Sequence, residues 1–250
     1  MRSLQGLGAS IVLPAGLHCC GLPALNSGDT KHGKWMARHT IRTLEALDVD
    51  FIVSGSASCV ATVAQDYIHL FRDEPAWQQR SRNLAAKVLD FTSFLDRIAK
   101  LPSGSLDSGQ PRTIVYHDSC QGLNALGLRD APRRILADVL GHDVRDLAES
   151  RVCCGFGGTF SFDYPEISDR LMTRKLDDAG SSGAPLIVTD NQGCILQLRG
   201  GADAQGRALE VRHISEMVAD GVLAAADRAQ ARGNEESEGS RTSGGRAPVT

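Results

Sequence analysis

No stretch of this chain stays apolar for anything near the roughly 20 residues that a membrane helix requires, so the sequence predicts no membrane span. Aromatic residues make up only 5% of its 250 residues, too few for a stacking platform along single-stranded nucleic acid. Charge of either sign is scarcely in surplus, with 27 Lys and Arg against 30 Asp and Glu, which excludes the basic footprint of a nucleic-acid or anionic-membrane surface. The first ten residues hold one arginine and lack a long apolar core, so they are not read as a secretory signal. The expected location is therefore the cytoplasm, where thiols stay reduced. There is no C-x-x-C pair, which counts against a dithiol redox pair. Phosphate-loop spacing is missing too. Gly155-Phe156-Gly157-Gly158 is followed by no Lys-Ser/Thr and does not fit G-x-G-x-x-G.

What remains is an ordinary globular composition, 42% hydrophobic and 23% charged, with seven cysteines. They are Cys19, Cys20, Cys59, Cys120, Cys153, Cys154 and Cys194. An odd number in a reducing compartment argues against a disulfide framework and for metal binding or redox chemistry.

Periodicity predicts strands alternating with helices. Ile11–Leu13, Phe51–Val53, Thr113–Tyr116, Val144–Leu147 and Leu186–Val188 read as strands. Asp29–Leu47 reads as a helix with Ala37, Ile41 and Leu44 on one face, and another helix is expected after Cys59. From Asp73, with Pro75 in its first turn, one long helix is expected through Leu84, Val88, Phe91, Leu95 and Ile98. Further helices start near Asp130 and Pro132, at Pro165, and over His213–Leu223. This alternation predicts an α/β fold with largely parallel sheets, arranged as two similar Rossmann-like halves. Residues 1–100 form the first half, the Ser-, Gly- and Pro-rich 101–111 a linker, 112–225 the second half, and 226–250 a disordered tail.

The two halves repeat. Cys19-Cys20-Gly21 recurs as Cys153-Cys154-Gly155. Phe51–Cys59 (FIVSGSASC) aligns without a gap on Leu186–Cys194 (LIVTDNQGC). In each, a cysteine follows the strand valine by six positions. Cys120, just beyond a strand, stands 33 positions before Cys153, and the same offset in the first half falls about 14 positions ahead of Met1. The repeat thus predicts a first half that is incomplete at its N-terminus, short of one strand and its cysteine loop.

Thiolate is a soft donor that selects iron–sulfur, zinc or copper(I). Adjacent cysteines converge only on a turn, and Gly155, Gly157 and Gly158 allow one. Three readings stand side by side: an iron–sulfur site, a structural zinc site despite the absence of the short C-x₂₋₄-C pairing, and cysteines that merely fill the core. His117-Asp118 lies three residues before Cys120, placed either to hydrogen-bond near a metal and move protons or simply to cap and pack. His18, beside Cys19, is a candidate stand-in for a missing ligand.

The segments HCCGLPALNSGD (His18–Asp29), VSGSASC (Val53–Cys59), YHDSC (Tyr116–Cys120), CCGFGGTFS (Cys153–Ser161) and DNQGC (Asp190–Cys194) resemble the cysteine-rich (CCG) domain of iron–sulfur oxidoreductase subunits, its lactate-utilisation A type in particular. The resemblance covers both halves. It implies an iron–sulfur-binding oxidoreductase subunit that carries electrons in the oxidation of L-lactate, a 2-hydroxy acid, to pyruvate, working with companion ferredoxin-like subunits. It also implies a [4Fe-4S] cluster held by Cys120, Cys153, Cys154 and Cys194, with Cys19, Cys20 and Cys59 serving the first site. The family's heterodisulfide reductases end the motif in C-x-x-C, where this chain has Asn191 and Ser56. That departure speaks against heterodisulfide chemistry. The rival expectation is a non-catalytic zinc- or thiol-stabilised interaction module.

Overall fold

A computed structural model describes residues 2–107 and 109–243, and it is an α/β protein with parallel sheets throughout. In the first half, β1 (Ile52–Ser54) pairs in parallel with β2 (Val88–Asp90), Val53 opposite Leu89. In the second half, β3 (Thr113–Tyr116), β4 (Asp143–Arg145), β5 (Leu186–Thr189) and β6 (Glu210–His213) form a four-stranded parallel sheet in the order β4-β3-β5-β6. The chain runs outward from β3 to β4 and then returns to the other side of β3 as β5. The strand order therefore reverses between β3 and β5, and α/β sheets bind ligands in the crevice beyond the strand C-termini at such a point.

The central strands are built of residues that bury both faces, as a parallel sheet between helices demands. Ile114, Tyr116, Leu186 and Val188 turn one way, into a core shared with Ile135, Leu136, Ile214 and Val218. Val115 and Ile187 turn the other way, against Leu176, Ile195 and Leu198 of helices Pro165–Ser181 and Gln192–Ala204. Phe91 and Leu95, which precede the expected linker, lie in the first of these cores, as does Leu106 within it. The first half adds a core of its own around Ala37, Ile41, Val60, Tyr67, Phe71 and Leu84.

Most expected elements are found. Helix Thr30–Glu45 begins at Asp29, whose carboxylate accepts from the His32 backbone N–H at 3.1 Å. Three expectations need correction, and one strand goes unforeseen. Ile11–Leu13 forms no strand, and Val12 and Leu13 are exposed. The long helix expected from Asp73 to Ile98 is instead helix Pro75–Ala85, strand β2, and a second helical stretch of Phe91–Ser93 and Phe94–Ala99. Asp90 ends the strand and starts that stretch, accepting from the Ser93 N–H at 2.8 Å. Strand β6 is an element the periodicity does not announce. Finally, the last helix does not stop near Leu223 but runs from Ile214 to Ser243, through much of the expected disordered tail. The alanines and arginines that directly follow Leu223 are good helix formers, which favours continuation of the helix. Residues 244–250 of that expected tail lie outside the described residues.

Candidate metal centre

Three loops carry the second-half cysteines to the C-terminal edge of the sheet. After β3, the chain reaches Ser119, whose Oγ accepts from the Gly122 N–H at 3.1 Å and starts helix Cys120–Asn124. Gly122 is required by crowding, since a Cβ there would come within 2.5 Å of Asp190 Oδ2. After β5, Asn191 caps helix Gln192–Ala204 by accepting from the Gly193 N–H at 3.0 Å, and Cys194 is the third residue of that helix. The Asn191 side chain, standing where C-x-x-C would place a cysteine, is thus used as a helix cap. Beyond β4 comes the Cys153-Cys154-Gly155 turn. Gly155 has φ +89°, and a Cβ on it would lie 2.4 Å from the Ser168 carbonyl oxygen. Ser168 Oγ donates back to the Gly155 carbonyl at 2.8 Å, and Gln197 donates to Ser168 Oγ at 2.9 Å. The Phe156 ring closes over Gly193, tying the CCG turn to the Cys194 helix.

These loops bring the four expected cysteines together as free thiols. Cys154 and Cys194 are buried among Leu147, Leu176 and Ile195, Cys153 is half-buried, and Cys120 is exposed. Cys153 is held below the usual thiol range by the neighbouring Cys120 and Cys154 thiols, and by the Gly155 N–H that donates to its sulfur at 3.3 Å. Cys194 is likewise lowered, by Cys154 first and then by His117. Cys120 and Cys154 are pushed up, each by the thiolate beside it and by burial. Metal ligands must be deprotonated, so two sulfurs of this set are already favoured as thiolates.

His117 extends β3 by donating its backbone N–H to the Val188 carbonyl at 2.8 Å. Its ring is 1% exposed, and a ring nitrogen lies within 4.8 Å of the Cys154 and Cys194 sulfurs, which are equally close to one another. Asp118 has a different task. Arg133 grips it through two 2.9 Å bonds and also holds Asp146 at 2.9 Å, locking the Cys120 loop to the segment after β4.

The first half repeats this geometry in part. Gly21 has φ +90° and donates to Cys19 Sγ at 3.5 Å, matching Gly155 and Cys153. Cys59 is third in helix Ala57–Ala61, as Cys194 is in its own helix, and sits 3.7 Å from Cys20 Sγ. Tyr67 donates to the Cys20 carbonyl at 2.6 Å. Cys19 faces solvent. His18 stacks on His39 with ring centroids 4.1 Å apart, while its Nδ1 meets the Cys19 carbonyl at 2.8 Å.

Two residues of the centre's surroundings have roles that the sequence does not announce. His213, at the end of β6, pairs through Nε2 with the Gly55 carbonyl at 2.6 Å and joins the cysteine-bearing loop after β1 to the second-half sheet. Burial pulls its pKa down and keeps it neutral. Asp190 is buried with neither oxygen hydrogen-bonded, and burial pushes its carboxyl up to about 7 from 3.8. Because the folded value is the higher, ionised Asp190 destabilises the metal-free chain most above pH 7, and the cost fades as pH falls toward 4. Asp190→Asn is therefore expected to raise the stability of the metal-free chain by up to about 4 kcal/mol above pH 7 and by far less near pH 4. Urea unfolding at both pH values checks this, and an equal gain at both would refute it.

The family profile described as "Cysteine-rich domain" (CCG) matches residues 2–64 and 114–199, one stretch in each half. The chain is 36% identical over 219 residues to "Lactate utilization protein A" of Exiguobacterium sp. (strain ATCC BAA-1283 / AT1b), covering 88% of both chains. It is also 36% identical over 215 residues to the proteins of that name from Bacillus cereus (strain B4264) and Bacillus thuringiensis (strain Al Hakam), covering 86% of this chain and 88% of each of them.

Proposed function

Since the chain belongs to the cysteine-rich CCG domain family, we propose that it is an iron–sulfur subunit of a cytoplasmic oxidoreductase complex, carrying electrons in the oxidation of L-lactate to pyruvate. The observation that carries the reading is the convergence of Cys120, Cys153, Cys154 and Cys194 from three loops at the point where the strand order reverses. The lactate assignment rests on the names of the relatives. No helix among the described residues is long and apolar enough to cross a membrane.

The donor set fits a [4Fe-4S] cluster held by these four cysteines, with Cys19, Cys20 and Cys59 offering a second, three-thiol site. When bound, such a cluster exchanges single electrons with its partners. This chain's residues set the conditions for that exchange. Cys154 and Cys194 anchor the site in a water-excluding core, while exposed Cys120 marks the side open to a partner. The Gly155 N–H on Cys153 Sγ withdraws charge from that sulfur, and hydrogen bonds of this kind raise a cluster's reduction potential. The hydroxy-acid oxidation itself is assigned to the complex, and no residue here is cast as its base.

One observation favours a second reading. Cys154, Cys194 and His117 bring their donor atoms within 4.8 Å of one another, a spacing compatible with one tetrahedral zinc ion in a non-catalytic interaction module. The test of the first reading uses the complex purified anaerobically with its companions. L-Lactate is expected to bleach the visible absorbance of the wild-type complex, with the part due to this chain missing in a Cys154→Ser complex. Identical bleaching in both would remove this chain from the electron path.

A further inference from the structure

We infer that His117 is a ligand of the second-half metal, adding an imidazole nitrogen to the thiolates around it. The inference deepens the proposal above and rests on that site binding metal.

His117 is placed by the backbone rather than by its side chain. Its N–H continues the β3–β5 ladder to Val188, which fixes its position at the reversal point between those strands. The ring is 1% exposed and neither nitrogen has a hydrogen-bond partner. Leaving buried polar atoms unpaired costs about 1–3 kcal/mol each, so a side chain in this state calls for a partner. Three polar groups of the adjoining loops are engaged elsewhere. Asp118 is held by Arg133, Ser119 Oγ accepts from Gly122, and the Asn191 amide oxygen accepts from Gly193. What the imidazole does face is sulfur, the two buried thiols Cys154 and Cys194. Among the described residues this is the group of His, Cys, Asp and Glu side chains whose donor atoms converge closely enough to hold one ion. A neutral imidazole among thiolates is an ordinary donor for both iron and zinc.

The test uses the full chain, purified anaerobically with ¹⁵N-labelled histidine and reduced, and pulsed EPR to read nitrogen coupled to the metal. The expected result is the strong coupling of a directly bound histidine nitrogen, lost in His117→Ala and in His117→Cys. The cysteine variant keeps a metal donor in place and guards against simple misfolding. Iron-loaded wild-type protein without histidine coupling, or coupling that persists in both variants, would overturn the inference while leaving the iron–sulfur reading intact. Should the chain carry zinc in place of iron, the electron-transfer proposal fails but His117 is still tested. Zinc-edge absorption is then expected to show nitrogen at about 2.0–2.1 Å beside sulfur at about 2.3 Å, with the nitrogen shell absent from both variants. A sulfur-only shell would overturn it. A chain that holds neither metal, even after reconstitution with iron and sulfide or with zinc, overturns both.

Discussion

Cys154→Ser is expected to empty the second-half site, cutting iron and sulfide per chain by at least half, and to near zero if the first site is empty as well. Cys154 is 2% exposed and lies between Cys153 and Cys194, each of whose thiolates it helps to stabilise. Serine keeps the size but replaces a soft, ionisable donor with a hydroxyl that stays protonated and suits harder metals. The hydroxyl also enters a core of Leu147, Leu176 and Ile195, where an unpaired polar atom costs about 1–3 kcal/mol. Circular dichroism separates this folding cost from the loss of metal. The matched control is Cys19→Ser. Cys19 is exposed and belongs to the other CCG turn, so the second-half iron is expected to survive its loss. Iron held at the wild-type level in Cys154→Ser would show that the metal lies elsewhere.

The second large effect is on the turn that aims the cysteines. Gly155→Ala is expected to destabilise the chain by about 3 kcal/mol or more and to lower metal loading with it. Two costs combine. A φ of +89° is poorly tolerated by any residue with a Cβ, at about 1–2 kcal/mol. The new Cβ would also stand 2.4 Å from a backbone carbonyl oxygen of helix Pro165–Ser181, which cannot rotate away as a side chain can. Relief requires the helix to move, and that breaks the Ser168–Gly155 hydrogen bond holding the turn. Two other glycines grade the effect. At Gly21, φ is +90° but the closest atom is Met36 Cβ at 3.2 Å, so Gly21→Ala is expected to cost less. At Gly158 nothing lies within 4 Å, so Gly158→Ala pays the conformational cost alone. Urea melts should therefore rank the variants Gly155, Gly21, Gly158 from most to least damaging. A Gly155→Ala chain no worse than Gly158→Ala would mean that the close approach to Ser168 is unimportant.

The internal repeat makes the cysteine loops legible in the sequence. Motifs of identical spacing fold to matching geometry, with Cys59 and Cys194 each third in a helix and Gly21 and Gly155 both near φ +90°. Strands with a run of apolar residues, such as Leu186–Val188, are also plain. Strand β2 is hidden because Leu84, Val88, Phe91, Leu95 and Ile98 recur at intervals of three and four, the spacing of a helical stripe. Only long-range pairing with β1 shows that Val88–Asp90 is a strand. Strand β6 escapes notice for the opposite reason. Its Glu210 and Arg212 alternate with buried Val211 and His213, too short an alternation to read in four residues. His213 and Gly55 stand 158 positions apart, and no local pattern announces their bond. His117 stands out in the sequence for its nearness to Cys120, but its neighbours in space are Cys154 and Cys194, which parallel strand pairing brings alongside it.

The most direct measurement of the central claim is the iron, zinc and acid-labile sulfide content of the anaerobically purified chain. About four irons with as many sulfides per chain is the predicted result for one cluster on Cys120, Cys153, Cys154 and Cys194, and about twice that if the first-half cysteines are loaded as well. About one zinc per chain with no sulfide would contradict the account and leave a thiol-stabilised interaction module in its place.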